Sequence, residues 1–213
     1  MDRAALLDSI RETVRQKLEK DSSGHDWLHI ERVVTNALAL GRAEGADLFI
    51  VELAALLHDL YDWKFGEEGG EKTRALLEEY GVEKGVIEHV CSIIATLSFK
   101  GATKIIPMTT LEGQVVQDAD RLDAIGAIGI GRCFAYGGSK GVPIYDPAVR
   151  PSFEGYTEKT KGHAKTSSIN HFHEKLLLLK DLMNTPTGKA MAEERHAFIE
   201  LFLEQFYKEV GKG

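Results

Sequence analysis

The pair His58-Asp59 directly follows a largely apolar run, residues 51–57. Adjacent side chains on a helix point about 100° apart, but at the end of a helix both can turn toward one atom held beyond it. An imidazole nitrogen and a carboxylate oxygen suit a divalent cation such as Mn, Fe, Co, Ni or Zn. The pair therefore predicts metal ligands, although the dipeptide alone also fits a capping histidine beside a solvated aspartate.

Two further clusters carry the same chemistry. Upstream, in GHDWLHIERVV, His25 and His29 are four positions apart and share a helix face. Downstream, in VVQDADRLDA, carboxylates interrupt an apolar helical pattern, and buried acids are expensive unless they are paired, protonated or bound to metal. Asp120 and Asp123 can share a face, whereas Asp118 points elsewhere.

In this order the three clusters resemble the H…HD…D pattern of the HD-domain phosphohydrolase superfamily, an all-helical fold. The segments SGHDWLHIERV, LLHDLYDWKF, DADRLDAIGAIGIGR and INHFHEKLLLLKDLMNT resemble its bacterial YpgQ- and YedJ-like branch, which extends the likeness over nearly the whole chain. The choice of Asp118 as the last ligand in place of Asp120 stays open. The resemblance implies four metal ligands: His29, His58, Asp59 and Asp120.

The resemblance implies metal-assisted attack of hydroxide on a phosphate ester or anhydride. For the YpgQ-like branch, it implies cleavage of a nucleoside triphosphate with release of pyrophosphate. Asp62, three residues past Asp59, is the candidate for general acid or for positioning water, and His25 is a second catalytic candidate. His89 is the place to look for a second metal ion. The cation is divalent, and the sequence does not choose among Mn, Fe, Co, Ni, Mg and Zn.

A phosphorylated substrate, most simply a nucleotide, needs cationic partners. Lys64, Lys100 and Arg132 are the candidates for substrate binding, since they flank the metal motifs and an arginine fork matches phosphate oxygens. Arg121 more simply pairs with a helix carboxylate such as Asp118. A stacking surface for a base is available from aromatic residues that also suit a core: Trp27, Trp63, Phe65, Phe99, Phe134 and Tyr136.

The elements that must position these residues are helices. Apolar residues recur at three- and four-residue spacing, and no strand alternation is convincing, so we expect an all-α HD-domain helical bundle with additional C-terminal helices. Asp47 is predicted to cap a helix that ends near His58. After the first helix, around Leu6 to Leu18, helices are predicted at about 26–43, 47–58, 69–80, 83–97, 109–135, 158–184 and 187–209.

We predict a single domain over residues 1–213, with its core at about 20–135. Glycine and proline make about 137–157 irregular, as a flap or as a strap to the C-terminal helices at about 158–209. Apolar faces on the terminal helices allow a homodimer.

Composition excludes several classes of protein. A net charge of -7 argues against a nucleic-acid binder. Two cysteines, Cys91 and Cys133, form no CxxC pair, the N-terminus is charged, and no apolar stretch is long enough to cross a membrane. We therefore expect a cytoplasmic protein with no membrane or nucleic-acid partner. The rivals to a triphosphate pyrophosphohydrolase are a 5'-nucleotidase-type phosphomonoesterase and a non-catalytic module that senses nucleotides.

Overall fold

The computed structural model describes residues 2–19, 26–61, 67–97, 107–151 and 167–211. Within these ranges the chain forms nine α-helices and one 3-10 helix, and no strand, which confirms the all-α prediction. None of the helices in the described ranges has the length and apolar composition needed to cross a membrane. The α-helices are α1 (Arg3–Leu18), α2 (Trp27–Glu44), α3 (Leu48–Leu57), α4 (Glu67–Glu79), α5 (Lys84–Leu97), α6 (Leu111–Asp123), α7 (Gly126–Ser139), α8 (Ser168–Glu174) and α9 (Pro186–Glu209), and the 3-10 helix is Leu176–Leu182.

The chain divides into two compact units, residues 1–98 with 106–120 and residues 99–105 with 121–213. Helix α3 is the centre of the first unit and packs against α1, α2 and α5, while α4 packs against α5. Seven of the ten residues of α3 are buried, so its sequence is apolar on nearly every side. The single domain over 1–213 stays a prediction.

Helix α3 begins where the sequence predicts. The Asp47 carboxylate accepts hydrogen bonds from the backbone N–H groups of Phe49, at 2.9 Å, and Ile50, at 3.5 Å, and so caps the helix. The preceding helix α2 is followed by Gly45, whose φ of 78° is left-handed. These two signals fix the turn between α2 and α3, and with it the two helices that carry His29 and His58.

The second unit is organised around a phenylalanine cluster. The Phe172 ring, on α8, is fully buried, and its centroid lies 5.8 Å from that of Phe134 on α7 and 5.6 Å from that of Phe202 on α9. Apolar burial of rings of this size contributes most of the local stability. Helix α9 also packs against the 3-10 helix.

The prediction of one continuous helix over 109–135 is wrong. Helix α6 ends at Asp123, and α7 begins at Gly126, which has a φ of 76°. A left-handed residue cannot lie inside a right-handed helix, and glycine adopts it without the steric cost of a Cβ. Gly129 completes the break, because a Cβ there would collide with the Ala124 carbonyl.

The predicted helix at 158–184 is also wrong over its described part. Lys175 leaves helical geometry (φ −140°, ψ −58°) between α8 and the 3-10 helix. In a 3-10 helix residues three apart eclipse, which places the buried Leu176 and Leu179 on one side. The predicted irregular segment begins later than position 137, because α7 continues to Ser139. Of that segment and the predicted helix, residues 152–166 lie outside the described ranges.

Candidate metal centre

The first turn of α2 positions His29. The carboxylate of Asp26, at the N-cap, accepts a hydrogen bond of 2.8 Å from the backbone N–H of His29. The His29 side chain is almost fully buried. A polar ring placed inside an apolar bundle needs partners for its nitrogens, and these come from the end of α3 and from α6.

The end of α3 positions His58 and Asp59. His58 lies directly after the helix and is buried. Its ring Nδ1 is 2.8 Å from the carbonyl oxygen of Ala55. Because a carbonyl only accepts hydrogen bonds, Nδ1 carries the proton and Nε2 is the nitrogen that can bind a cation.

The donor atoms of His29, His58 and Asp120 all lie within 4.8 Å of one another, and Asp59 approaches both imidazoles. The Nε2 atoms of His29 and His58 are 3.2 Å apart. Asp59 Oδ2 lies 3.3 Å from the first and 3.4 Å from the second. Asp120 Oδ1 lies 3.6 Å from the first and 3.8 Å from the second. The chain thus brings residues of α2, of the turn that follows α3 and of α6 close together in the first unit.

These separations fit a cation placed beside the two imidazole nitrogens. With metal–ligand bonds of about 2.0–2.2 Å, two ligands subtending 90–109° lie roughly 2.8–3.6 Å apart. The observed separations of 3.2–3.8 Å are within a few tenths of an ångström of that range. Two imidazoles and two carboxylates form a donor set that several first-row divalent cations accept, so the set does not name one.

Electrostatics at this point also favour a positive charge. Burial lowers the pKa of His58, but the charges of Asp59 and Asp120 and a hydrogen bond to Asp59 raise it more, to about 9. When no other cation neutralises the two carboxylates, the buried His58 ring therefore keeps its proton and is positively charged. A divalent cation satisfies the same requirement.

The other predicted site residues are placed differently. His25, Asp62, Lys64 and Lys100 lie outside the described residues. Arg132 donates a hydrogen bond of 2.7 Å to the buried carboxylate of Asp123 within the second unit.

Three further residues that the sequence analysis considered, Asp118, His89 and Arg121, are placed as well. Asp118 is fully buried on α6. Among the described residues, the three side chains whose donor atoms could together hold a metal ion are His29, His58 and Asp120. His89 Nε2 lies 3.7 Å from Glu112 Oε2, and His89 is not one of those three residues. Arg121 hydrogen-bonds to the Leu182 carbonyl.

Two residues that orient the ligands were missed by sequence reasoning. Asp26 had a signal, because an aspartate just before an apolar helical pattern is a typical N-cap. The Ala55 carbonyl had none, since every residue carries a backbone carbonyl and only the fold selects the one that meets an imidazole.

Comparisons with known proteins agree with this geometry. Residues 27–125 match the family model of the HD domain. The chain is 41% identical to the protein YpgQ of Bacillus subtilis (strain 168) over 95% of this chain and 93% of that protein. It is 46% identical to an HD-superfamily hydrolase from Bacillus thuringiensis, whose crystal structure superposes with a TM-score of 0.78 over 99% of this chain and 100% of that one. A crystal structure of Bacillus subtilis YpgQ in complex with ADP is 40% identical, with a TM-score of 0.76 over 96% of this chain and 97% of that one.

Proposed function

The chain belongs to the HD-domain family, and we propose that it is a metal-dependent phosphohydrolase that cleaves nucleoside or deoxynucleoside triphosphates to the monophosphate and pyrophosphate. The observation that carries the proposal is that the Nε2 atoms of His29 and His58 lie 3.2 Å apart, and that one oxygen of Asp59 and one of Asp120 each lie 3.3–3.8 Å from both nitrogens. The complex of the related YpgQ with ADP supports a nucleotide as the substrate class.

In this proposal His29, His58, Asp59 and Asp120 hold one divalent cation. When bound, the cation supplies Lewis-acid activation of a phosphoryl oxygen and of the attacking water. The protein's own part is orientation. Asp26 and the Ala55 carbonyl fix the backbone and the ring that present the two histidines, and the two carboxylates offset most of the cation's charge inside a largely buried site.

The remaining roles rest on sequence position and on the resemblance. Asp62 follows the ligand pair by three residues and is proposed to orient the attacking water or to protonate the leaving oxygen, with His25 assisting. Lys64, Lys100 and Arg132 are proposed to balance the negative charge of the phosphates. Arg132 already pairs with Asp123, so its part in binding would require it to serve both carboxylate and phosphate.

The experiment is a hydrolysis screen over nucleoside and deoxynucleoside triphosphates, with Mn, Co, Ni, Zn or Mg supplied in turn. Pyrophosphate and monophosphate are quantified separately for the wild-type chain and for His58→Ala. The matched control is His196→Ala, which removes a histidine whose Nε2 lies 3.4 Å from Glu200 in the second unit. We expect metal-dependent release of pyrophosphate from the wild type and from the control, and a loss of at least about 100-fold for His58→Ala.

Other products would identify a rival function. Free nucleoside and inorganic phosphate released from monophosphates would support a 5'-nucleotidase-type phosphomonoesterase. Saturable nucleotide binding with metal present and no turnover would support a sensing module. Hydrolysis by His58→Ala at the wild-type rate would contradict the proposed site.

A further inference from the structure

The N-terminus of helix α3 carries one half of a capping box. In a complete box the N-cap side chain accepts from the N–H of the third helical residue, and a Glu or Gln at that third position accepts from the N-cap N–H. Asp47 supplies the first half through its carboxylate. The third residue of α3 is Ile50, whose side chain has no acceptor. The backbone N–H of Asp47 therefore has no side-chain acceptor within its own helix.

The missing acceptor comes from helix α6. Glu112, in the first turn of α6, accepts a hydrogen bond of 3.1 Å from the Asp47 backbone N–H through its Oε1. The Glu112 side chain is only 17% exposed, and the positive end of the α3 dipole favours a carboxylate there. From 65 positions away, Glu112 thus does for α3 what a glutamate at the third helical position would do locally.

The second oxygen of the Glu112 carboxylate faces helix α5. Oε2 lies 3.7 Å from Nε2 of His89, and that nitrogen is buried and has no hydrogen-bond partner among the described residues. The separation is too long for a hydrogen bond, so the ring borders the carboxylate without donating to it. With an imidazole on one side and the Asp47 N–H on the other, the carboxylate has little freedom to turn.

Helices α3 and α6 meet at both ends. At the first end Glu112 is bonded to Asp47, and at the second end Asp120 Oδ1 lies 3.8 Å from His58 Nε2. His58 follows Asp47 by eleven residues and Asp120 follows Glu112 by eight, which are rises of about 16 Å and about 12 Å. The two helices therefore run in the same direction, and the contact at the first end sets how far α6 is advanced along α3 at the second.

We propose that Glu112 is a positioning residue for the metal centre. Its hydrogen bond to the Asp47 N–H fixes α6 along α3 and so places Asp120 against His58. This inference rests on the proposed function, because it takes His58 and Asp120 as ligands of one cation. Without the bond, the separation of their donor atoms would vary, and a ligand set that the ion must first gather binds it more weakly than one already in place.

Two substitutions separate the hydrogen bond from the charge. Glu112→Gln removes the charge but keeps an acceptor oxygen at the same reach. Glu112→Asp keeps the charge, but its side chain is one methylene shorter and does not reach the Asp47 N–H. Glu112→Ala removes both. Isothermal titration with Mn measures the affinity and the stoichiometry for each variant of the full chain, well below its unfolding temperature.

We expect one Mn equivalent for the wild type and an affinity within about twofold of it for Glu112→Gln, while Glu112→Asp and Glu112→Ala should bind about five- to tenfold more weakly. The matched control is Glu88→Asp, the same change at an exposed residue of α5, which should leave the affinity unchanged. Lower stability alone does not change the affinity of molecules that remain folded. Weaker Mn binding that Glu112→Gln rescues is therefore the signature of positioning.

The opposing outcomes differ in what they overturn. Wild-type affinity in Glu112→Asp and Glu112→Ala would overturn the inference and leave the proposed metal site intact. Equal weakening in Glu112→Gln and Glu112→Asp would assign the effect to something other than the hydrogen bond and overturn it as well. A second Mn equivalent that Glu112→Ala loses would make Glu112 and His89 ligands of a second ion in place of a positioning pair. A wild type that binds no Mn would overturn the proposed function together with this inference.

Discussion

At the scale of single residues, His58 is held at both ring nitrogens. Its Nδ1 donates to the Ala55 carbonyl, while its Nε2 lies among the donor atoms of His29, Asp59 and Asp120. The ring therefore keeps one tautomer and one orientation, which is the condition for a preorganised ligand. His58 thus caps the end of α3 through Nδ1 and presents Nε2 to the predicted ligands, so the capping role and the ligand role are compatible in one ring.

Substitutions at Asp118 and Asp120, two of the three aspartates of α6, should have different effects. Asp120→Asn should weaken the binding of a divalent cation by at least about 100-fold, since a neutral amide replaces a charged ligand. Asp118→Asn should leave the cation affinity within about threefold of wild type while changing thermal stability. Asp118 is fully buried, whereas Asp120 Oδ1 lies 3.6 Å from His29 Nε2 and 3.8 Å from His58 Nε2. Isothermal titration with Mn measures both affinities, and equal loss in the two variants would contradict the assignment of Asp120.

The buried imidazole of His171 should make the free energy of unfolding depend on pH. Burial, and then the charge of Lys175, lower the pKa of His171 to about 3. Because the unfolded chain binds this proton near pH 6.5 and the folded chain does not, stability is present above pH 6.5 and is lost as the pH falls. Between pH 7.5 and pH 5 this group alone should remove about 2 kcal/mol of the free energy of unfolding.

Denaturant unfolding at the two pH values measures this loss. Between pH 7.5 and pH 5, the free energy of unfolding of His171→Gln should fall by about 2 kcal/mol less than that of the wild type, whatever the absolute stability of the variant. His196→Gln serves as the control. An identical decrease in wild type and His171→Gln would mean that His171 does not carry the effect.

At the scale of elements, the break between α6 and α7 is where sequence and structure differ most. The apolar period continues across residues 109–135, so periodicity predicted one helix. Gly126 and Gly129 carried the signal of a break, but glycine inside a helix costs only about 1 kcal/mol and does not by itself end it. What decides is the fold: only the folded chain shows that position 126 is left-handed and that the Ala124 carbonyl occupies the space beside Gly129.

Alanine at these glycines tests that explanation. Gly126→Ala should destabilise the protein by about 1–2 kcal/mol, because it forces a Cβ into a left-handed conformation. Gly129→Ala should cost at least as much, because the Ala124 backbone must move. The matched control is Gly70→Ala on α4, where a Cβ meets no atom within 4 Å and where alanine should stabilise by roughly 0.5–1 kcal/mol. Thermal unfolding of the three variants makes the comparison, and a neutral Gly126→Ala would contradict the role given to its φ.

The ion pair between Arg132 on α7 and Asp123 at the end of α6 leads to a separate prediction. Asp123 is almost fully buried, and its carboxylate is 2.7 Å from Arg132 Nη1. Arg132→Ala takes this close cationic partner away from a buried carboxylate, which should cost about 3–5 kcal/mol of unfolding free energy. Arg132→Ala combined with Asp123→Asn should recover part of the loss, as urea unfolding would show. Additive losses in the double variant would contradict a direct pairing.

At the scale of the whole molecule, the helix content and most helix ends could be predicted from local signals. Asp47 and Gly45 mark the turn between α2 and α3, and those signals are local. The convergence of ligands at positions 29, 58, 59 and 120 could not be derived from spacing, because no local rule gives the distance between residues so far apart. The resemblance to the HD domain supplied the four-ligand set, which stays a prediction. The structure brings the donor atoms of His29, His58 and Asp120 within 4.8 Å of one another, and one carboxylate oxygen of Asp59 lies 3.3 Å and 3.4 Å from the two imidazole Nε2 atoms.

The most direct measurement of the central claim is anomalous diffraction at the Mn absorption edge from crystals of the full chain grown with Mn. The account predicts one strong peak about 2.0–2.3 Å from His29 Nε2, His58 Nε2, Asp59 and Asp120. A peak elsewhere, or none among these four side chains at saturating Mn, would contradict it.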